Sequence, residues 1–263
     1  MGTNPTGTAT VLGQSVGVYH ERMPAATLRC HFACTWFHRL PSCLSQPIAI
    51  VPDGFIDLQW IDGVLRVAGP DRGANVETIP AGATIIGLRF LPASATAWLR
   101  VSASELVDTR LPLDVFWGPE ARRLADWASD ARTPEGIAHR LEAALARKGA
   151  LVDPPDIALR SIFRIISTNR HPERQITHQL IDELGLSERT LRRRCREAFG
   201  YGPKTLDRIL RFQRFLRLAR ISNLDGAARL SAEAGYADQS HLTREAQRLA
   251  GLTPKAIATQ LSG

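Results

Sequence analysis

Apolar positions recur with two different periods along this chain, and the change comes near residue 92. From Thr27 to Phe90 they form short β-rich runs, TLRCHFACTWF, PIAIV, FIDLQWI, VLRVAG and TIIGLRF. Turn signals separate the runs at Pro52-Asp53-Gly54, Asp62-Gly63, Gly69-Pro70 and Pro80-Ala81-Gly82. Short strands at this spacing predict a small barrel or sandwich. In FIDLQW, alternation sets Phe55, Asp57 and Gln59 on one face and Ile56, Leu58 and Trp60 on the other. In TIIGLRF it turns Arg89 away from Leu88 and Phe90. Along TLRCHFACTWF it places Cys30 and Cys34 on one face with Phe32, and His31 opposite. From Pro92 onward the period is helical, with helices predicted near 93–101, 119–130 and 134–148. Asp153-Pro154-Pro155 interrupts helix and marks an interdomain passage. The fold class read from this is α+β. Residues 1–150 form a β-rich sensor or dimerisation domain ending in helices, and residues 151–263 form an all-helical domain.

Within the helical part, two segments share one layout. ITHQLIDEL runs to Gly185, and Leu186-Ser187 opens the helix ERTLRRRCREAF. LDGAARLSAEA runs to Gly235, and Tyr236-Ala237-Asp238 opens QSHLTREAQRLA. Each is a helix, a glycine turn and a capped second helix. Glycine supplies the left-handed residue that closes the first helix, and Ser187 or Asp238 accepts from free amides at the start of the next. These are two helix-turn-helix units, whose second helices enter a major groove. In the first such helix Leu191, Cys195, Ala198 and Phe199 form the buried stripe, while Arg189, Arg192, Arg193 and Arg196 face outward beside Thr190. In the second, Leu242, Ala246 and Leu249 point inward, leaving Gln239, Ser240, His241, Thr243 and Arg244 outward or at the helix start. These outward residues of both helices, with Ser187 and Asp238 at the helix starts, are the DNA-binding candidates. Arginine reads guanine, glutamine reads adenine, and serine and threonine read more permissively. Between the units, Pro203 opens a helix of about fifteen residues, ~22 Å long, which sets the two recognition helices about 34 Å apart, one duplex turn. Along it Arg208, Arg211, Arg214, Arg217 and Arg220 recur every third residue, a row read as partly solvated and partly in contact with phosphate.

Charge supports the division. The chain carries a net charge of +7, and a strong positive balance implies a polyanionic partner. Residues 1–150 hold 14 basic and 14 acidic side chains, whereas residues 151–263 hold 19 and 12. The whole surplus therefore lies in the helical half. Only three of the 33 basic residues are lysine, a preference that genomic base composition also produces. Hydrophobic residues make up 44% and charged residues 22% of the 263, which excludes a wholly disordered chain or a disulfide mini-protein. No run of about 18 apolar residues predicts a membrane span. The opening MGTNPTGTAT lacks the basic start and apolar stretch of a secretory signal, so the expected compartment is the cytoplasm.

Residues 156–260 resemble the DNA-binding domain of the AraC/XylS family of bacterial transcription regulators. The resemblance rests on LGLSERTLRRRCREAFGYGPKTLDRILRFQRFLRLAR and AGYADQSHLTREAQRLAGLTPKAI, the second being the more specific. It implies paired helix-turn-helix modules on a shared helix that read adjacent major-groove segments. Carried over by position, the contacts are Arg189, Arg192 and Arg193, then Gln239, Ser240, His241, Thr243 and Arg244. Cys195 and Ala246 depart from the family, which usually places phenylalanine there; an uncompensated loss costs roughly 3–5 kcal/mol. In the first half, VPDGFIDLQW, VLRVAGP and GLRFLPASA resemble a cupin-like domain often fused to such modules, which implies sensing or dimerisation. Expected partners are double-stranded DNA, RNA polymerase, a small-molecule effector and a second copy of the chain, with no membrane and no cofactor.

Other chemistry is thinly represented. Asp57, Gln59 and Arg89 are the ligand-lining candidates of the first half. Cys30, His31, Cys34, His38 and Cys43 are the one constellation suggesting metal or thiol chemistry, but the Cys30-x3-Cys34 spacing lacks a second pair, and core cysteines are expected instead. No GxSxG, Walker loop, HExxH or dinucleotide fingerprint occurs, so no enzyme is expected. The competing reading is a metal- or thiol-reactive sensor built on Cys30, Cys34 and Cys43, with DNA binding as its readout.

Overall fold

The structure is a computed structural model and describes residues 11–44, 46–169, 173–221 and 227–261. The β-rich runs form strands, in chain order β1 (Val11–Leu12), β2 (Val18–Arg22), β3 (Phe32–Arg39), β4 (Ile48–Ile50), β5 (Asp57–Ile61), β6 (Val64–Ala68), β7 (Asn75–Glu77), β8 (Thr84–Phe90) and β9 (Arg110–Pro112). They make an antiparallel six-stranded sheet in the order β2-β3-β8-β5-β6-β9 and a three-stranded sheet in the order β1-β4-β7. The Asp62-Gly63 turn joins β5 to β6, with both residues at positive φ; only such a turn matches the twist of a tight hairpin. Register places Asp57 opposite Arg89 and Leu58 opposite Leu88, so the alternation of these strands is as the sequence implies.

One face of the large sheet is apolar. Phe37, Leu58, Trp60, Leu65, Val67, Ile86, Leu88 and Phe90 form a core against α1 (Ala95–Leu99), α3 (Pro119–Ser129) and α4 (Pro134–Gly149), with the short α2 (Asp114–Trp117) leading into α3. The opposite face carries Cys34, Trp36 and Ile85, which gather with Ile48 and Ile79, and a set of charged residues described below. Gly87 sits directly under Trp36; a Cβ there would fall 2.0 Å from the indole, so no larger residue fits beneath that ring.

The strand around Cys30 differs from the sequence reading. β3 begins at Phe32, Cys30 lies in the preceding turn and is exposed, and the register shifts between Phe32 and Cys34. That irregularity sends Phe32 to the apolar core and Cys34 to the other face, because an inserted residue reverses the alternation. Cys43 is likewise exposed, so only Cys34 and Cys195 are core cysteines.

The helical half contains α5 (Ile157–Thr168), α6 (Glu173–Leu184), α7 (Glu188–Phe199), α8 (Pro203–Ile221), α9 (Ala227–Ala234), α10 (Gln239–Ala250) and α11 (Pro254–Leu261). Residues 224–226 of the segment LDGAARLSAEA lie outside the described residues. α8 has 19 residues rather than fifteen, a length of about 28 Å. It touches α5, α6, α7, α9, α10 and α11, and its apolar residues surround the helix because both modules close on it. The core continues across the expected boundary. Leu12, Ala49, Val51 and Ala93 join the cluster built around Leu206, Ile209, Phe212 and Phe215. Gln213 Nε2 donates to the Pro52 carbonyl at 2.6 Å, Phe55 meets Phe163 with ring centroids 5.3 Å apart, and the Leu12 amide donates to Gln260 Oε1 at 2.8 Å.

Candidate nucleic-acid interface

Local sequence fixes both recognition helices at each end. α6 stops at Gly185, φ +62°, and Ser187 Oγ accepts from the Thr190 amide at 3.2 Å to open α7. α9 stops at Gly235, φ +89°, and Asp238 Oδ1 accepts from the His241 amide at 2.6 Å to open α10. Gly200 and Gly251 then close α7 and α10 in the left-handed conformation. Ser187 and Asp238 thus cap the two helices from exposed positions, and Thr190 is half-buried beside Ser187 with its hydroxyl 2.9 Å away.

The buried stripes are those read from the sequence. Leu191, Cys195, Ala198 and Phe199 of α7, and Leu242, Ala246 and Leu249 of α10, are buried. Cys195 and Ala246 are fully enclosed, in a core that also holds Phe163, Phe199, Phe212 and Phe215. Burial pushes the Cys195 thiol up to about 12.

On the outer face of α7, Arg189, Arg192, Arg193 and Arg196 are all exposed, one helical turn apart in pairs. Arg192 pairs with Glu188 at 2.6 Å and Arg193 with Glu197 at 3.0 Å. Exposed pairs of this kind contribute about 0.3–0.5 kcal/mol, little enough for a phosphate or base to displace. On α10, Gln239, Ser240, Thr243 and Arg244 are exposed, and Thr243 Oγ1 donates to the Gln239 carbonyl at 2.9 Å. His241 differs from the outward reading. It is half-buried, with its ring edge-on to Tyr236 at 5.3 Å. Gln247 and Arg248 extend the exposed face by another turn; the four-residue spacing from Thr243 and Arg244 was the available signal.

The row of arginines on α8 does not form the partly solvated, phosphate-contacting face that its spacing implies. Arg211 and Arg214 are buried, 3% and 7% exposed, and Arg208 is half-buried; only Arg217 and Arg220 are exposed. Arg208 Nε donates to Glu245 Oε2 at 2.7 Å, and Arg211 pairs with Asp207 and lies over the Tyr236 ring at 5.7 Å. Arg214 donates to the carbonyls of Ala234, Ser167 and Asn169 at 3.1, 3.0 and 2.8 Å. Arg211 is thus a structural residue and cannot act as a phosphate clamp from this position.

In the first half, the structure brings Asp57, Gln59 and Arg89 onto one sheet face, where each is already bonded to a neighbouring side chain. Arg89 Nε donates to Asp57 at 3.0 Å and Arg89 Nη2 to Asp53 at 2.6 Å; Arg66 Nε donates to Gln59 at 2.8 Å. Arg66 and Arg110 converge on Glu77, and Arg110 also grips Asp71. Burial raises the Asp57 and Asp71 carboxyls, against the lowering pull of Arg89 and Arg110. The crevice between this half and α7, lined by Phe55, Phe90 and Phe199 among others, encloses about 10 Å³, at most one water. The cysteine-histidine constellation does not converge. Cys30 and Cys43 face solvent, His31 lies beside Ser94 and Trp98, Cys34 meets Glu21, and His38 Nε2 lies 2.6 Å from the Val16 carbonyl. Among the described residues, no three His, Cys, Asp or Glu side chains are set to hold a metal ion.

Residues 180–260, from α6 through α11, match the family model described as a helix-turn-helix domain. The C-terminal segment is an AraC-type helix-turn-helix domain. The AraC-type domain makes the chain a DNA-binding transcription regulator. Residues 20–112 match a second model, described as a domain of unknown function. No match was found among curated proteins. Among solved structures, the chain is similar to ToxT from Vibrio cholerae O395, at 10% identity and a TM-score of 0.46, over 86% of this chain and 97% of that one. It is also similar to ToxT from the same strain bound to (E)-4-(8-methylnaphthalen-1-yl)but-3-enoic acid, at 11% identity and a TM-score of 0.44, over 86% and 97% of the two chains. No helix among the described residues is long and apolar enough to cross a membrane.

Proposed function

We propose that the chain is a sequence-specific transcription regulator whose AraC-type domain reads two adjacent major-groove segments, α7 in one and α10 in the next. The observation that carries this is the pair of capped helices on opposite modules of α8, each with an exposed hydrogen-bonding face and a buried, mainly apolar rear. Arg189, Arg192, Arg193 and Arg196 supply base and phosphate contacts on the first; Gln239, Ser240, Thr243 and Arg244 supply them on the second. Ser187, Thr190, Asp238 and His241 position those faces from their capping and packing places. We place the domain boundary at the irregular stretch before Asp156, with residues 1–150 as the regulatory segment.

That segment senses a small molecule on the face of its large sheet turned away from α1, α3 and α4. Support comes from the charged residues on that face, where an incoming polar ligand competes with Asp53 and Asp57 for Arg89. Homodimerisation and contact with RNA polymerase complete the proposed function, which requires no enzymatic step. The dispersed cysteines give the thiol- or metal-sensor alternative no support.

The reading is tested by titrating the full chain onto a genomic operator and onto random duplex as salt is varied. Affinity should fall by about 0.9 log unit per neutralised phosphate for each log unit of salt. The operator should be preferred at every salt concentration. Equal affinity for operator and random duplex would reduce the chain to a nonspecific DNA binder.

A further inference from the structure

The two modules share one apolar core around α8, and apolar surfaces define distance better than angle. Polar contacts also cross the junction. Asn169, at the C-terminal cap of α5 in the first module, donates from Nδ2 to Asp207 of α8 at 3.1 Å. Asp207 pairs with Arg211, whose guanidinium lies over Tyr236 in the turn of the second module. Arg214 reaches both modules at once, donating to Ser167 and Asn169 on one side and to Ala234 on the other. Arg208 ends the row on α10 itself, where its Nε meets Glu245 at 2.7 Å. Glu245 is 9% exposed, on the rear of the recognition helix beside Leu242 and Ala246. The Arg208 and Glu245 side chains are 15% and 11% exposed, so neither reaches a duplex.

We infer that Arg208 and Glu245 are positioning residues which fix the pose of α10 relative to α7, and thereby the base-pair spacing between the two DNA segments that the protein accepts. The inference rests on the two-groove reading above and deepens it. A buried ion pair gives little net stability, because desolvation offsets the attraction; its best-attested use is to fix register. The direction of a charge-assisted hydrogen bond supplies the angular constraint that Leu242, Ala246 and Leu249 lack. Arg208 sits three residues before Arg211 and six before Arg214 on the same helix. The restraint on α10 is therefore borne by the same helix as the restraints on the α9–α10 turn and on the first module.

The test is selection from a duplex library in which two fixed half-sites, obtained first with the unaltered protein, are separated by every spacing over one duplex turn. The unaltered chain should select one spacing sharply. The double variant Arg208→Met with Glu245→Leu replaces the pair by apolar side chains of similar volume, so the fold is retained. Its preference for that spacing over one shifted by a single base pair should fall about tenfold, while base preference within each half-site stays unchanged. The reversed pair, Arg208→Glu with Glu245→Arg, should restore part of the spacing preference. An unchanged spacing profile in the double variant, melting as the unaltered protein does, overturns the inference while leaving the two-groove reading intact. An unaltered chain that selects only one half-site, indifferent to spacing, overturns that reading and the inference with it.

Discussion

At the scale of single residues, the outer face of α7 is held in reserve by its own acids. Glu188 and Glu197 occupy Arg192 and Arg193 at 2.6 and 3.0 Å, so DNA must exchange two weak pairs for its own contacts. Glu197→Gln should therefore tighten binding to every duplex severalfold at low salt, with the gain shrinking as salt screens it. Affinity measured across a salt series checks this; no gain at low salt would place Arg193 away from the duplex. The arginines of α8 behave differently. Arg211→Ala leaves Asp207 buried without its guanidinium, and stability should drop by roughly 3–5 kcal/mol in denaturant titration, before any effect on DNA is read. A three-residue step falls about 60° short of a full turn of an α-helix, so the row spirals around α8 instead of lining one face. Arg208, Arg211 and Arg214 are carried into the packed side, and Arg217 and Arg220 emerge in solvent. Spacing alone did not show this, because the neighbours that close over α8 come from six other helices.

Five groups carry a pH signature of one sign. Burial raises the thiols of Cys34 and Cys195 to about 12 from 9.0, and it raises the phenols of Tyr19, Tyr201 and Tyr236 above 10.0. The folded chain keeps these protons while the unfolded chain releases them, so stability is full below pH about 9 and falls as pH rises through the alkaline range. Melting temperature measured from pH 8 upward should decline steadily. A thiol reagent at pH 8 should label Cys30 and Cys43 in the native protein and reach Cys34 and Cys195 only on unfolding; rapid labelling of all four would contradict the burial.

At the scale of elements, ends proved easier to read than strands. α7 and α10 begin and end at the residues the sequence indicates, because each has a side-chain cap in front and a glycine behind. Asp238→Ala should cost about 1 kcal/mol and loosen the first turn of α10, where Gln239 and Ser240 stand. Binding to the second half-site should weaken more than binding to the first, as separate half-site mutants of the operator will report. Strands carry fewer such markers. β2, VYHER, is exposed along its whole length, so no alternation of apolar residues announces it. β3 starts later than its sequence suggests, and its irregularity at Phe32–Cys34 reverses the faces that alternation assigns. Asp57, Gln59 and Arg89 were legible as neighbours on one face, since β5 and β8 pair without interruption. That Arg89 bonds to both Asp57 and Asp53 was not, because Asp53 comes from a turn whose approach only the tertiary fold determines.

At the scale of the whole molecule, the two halves share a core rather than merely a connecting chain. The loop at Pro52–Phe55 lies on α8, where Gly54 packs against Leu206, Ile209 and Leu210, and the same helix carries both modules. The regulatory segment thus bears on the element that sets the two recognition helices. Residues 151–263 expressed alone should keep the base preference of the full chain, because both reading faces lie within them. They should also melt at a lower temperature and associate at high concentration, since Val51, Gly54 and Phe55 no longer cover α8. A fragment as stable as the full chain would show the shared core to be incidental.

The most direct measurement is competition binding of the full chain against a fully randomised operator library at one fixed salt concentration, alongside Arg193→Ala and Gln239→Ala. Two blocks of base preference about one duplex turn apart are expected. Arg193→Ala should flatten one position in one block and Gln239→Ala one position in the other, each at a cost of roughly 1–3 kcal/mol on the specific site. Uniform weakening across the library in both variants, with the base preferences of both blocks unchanged, would contradict reading by α7 and α10.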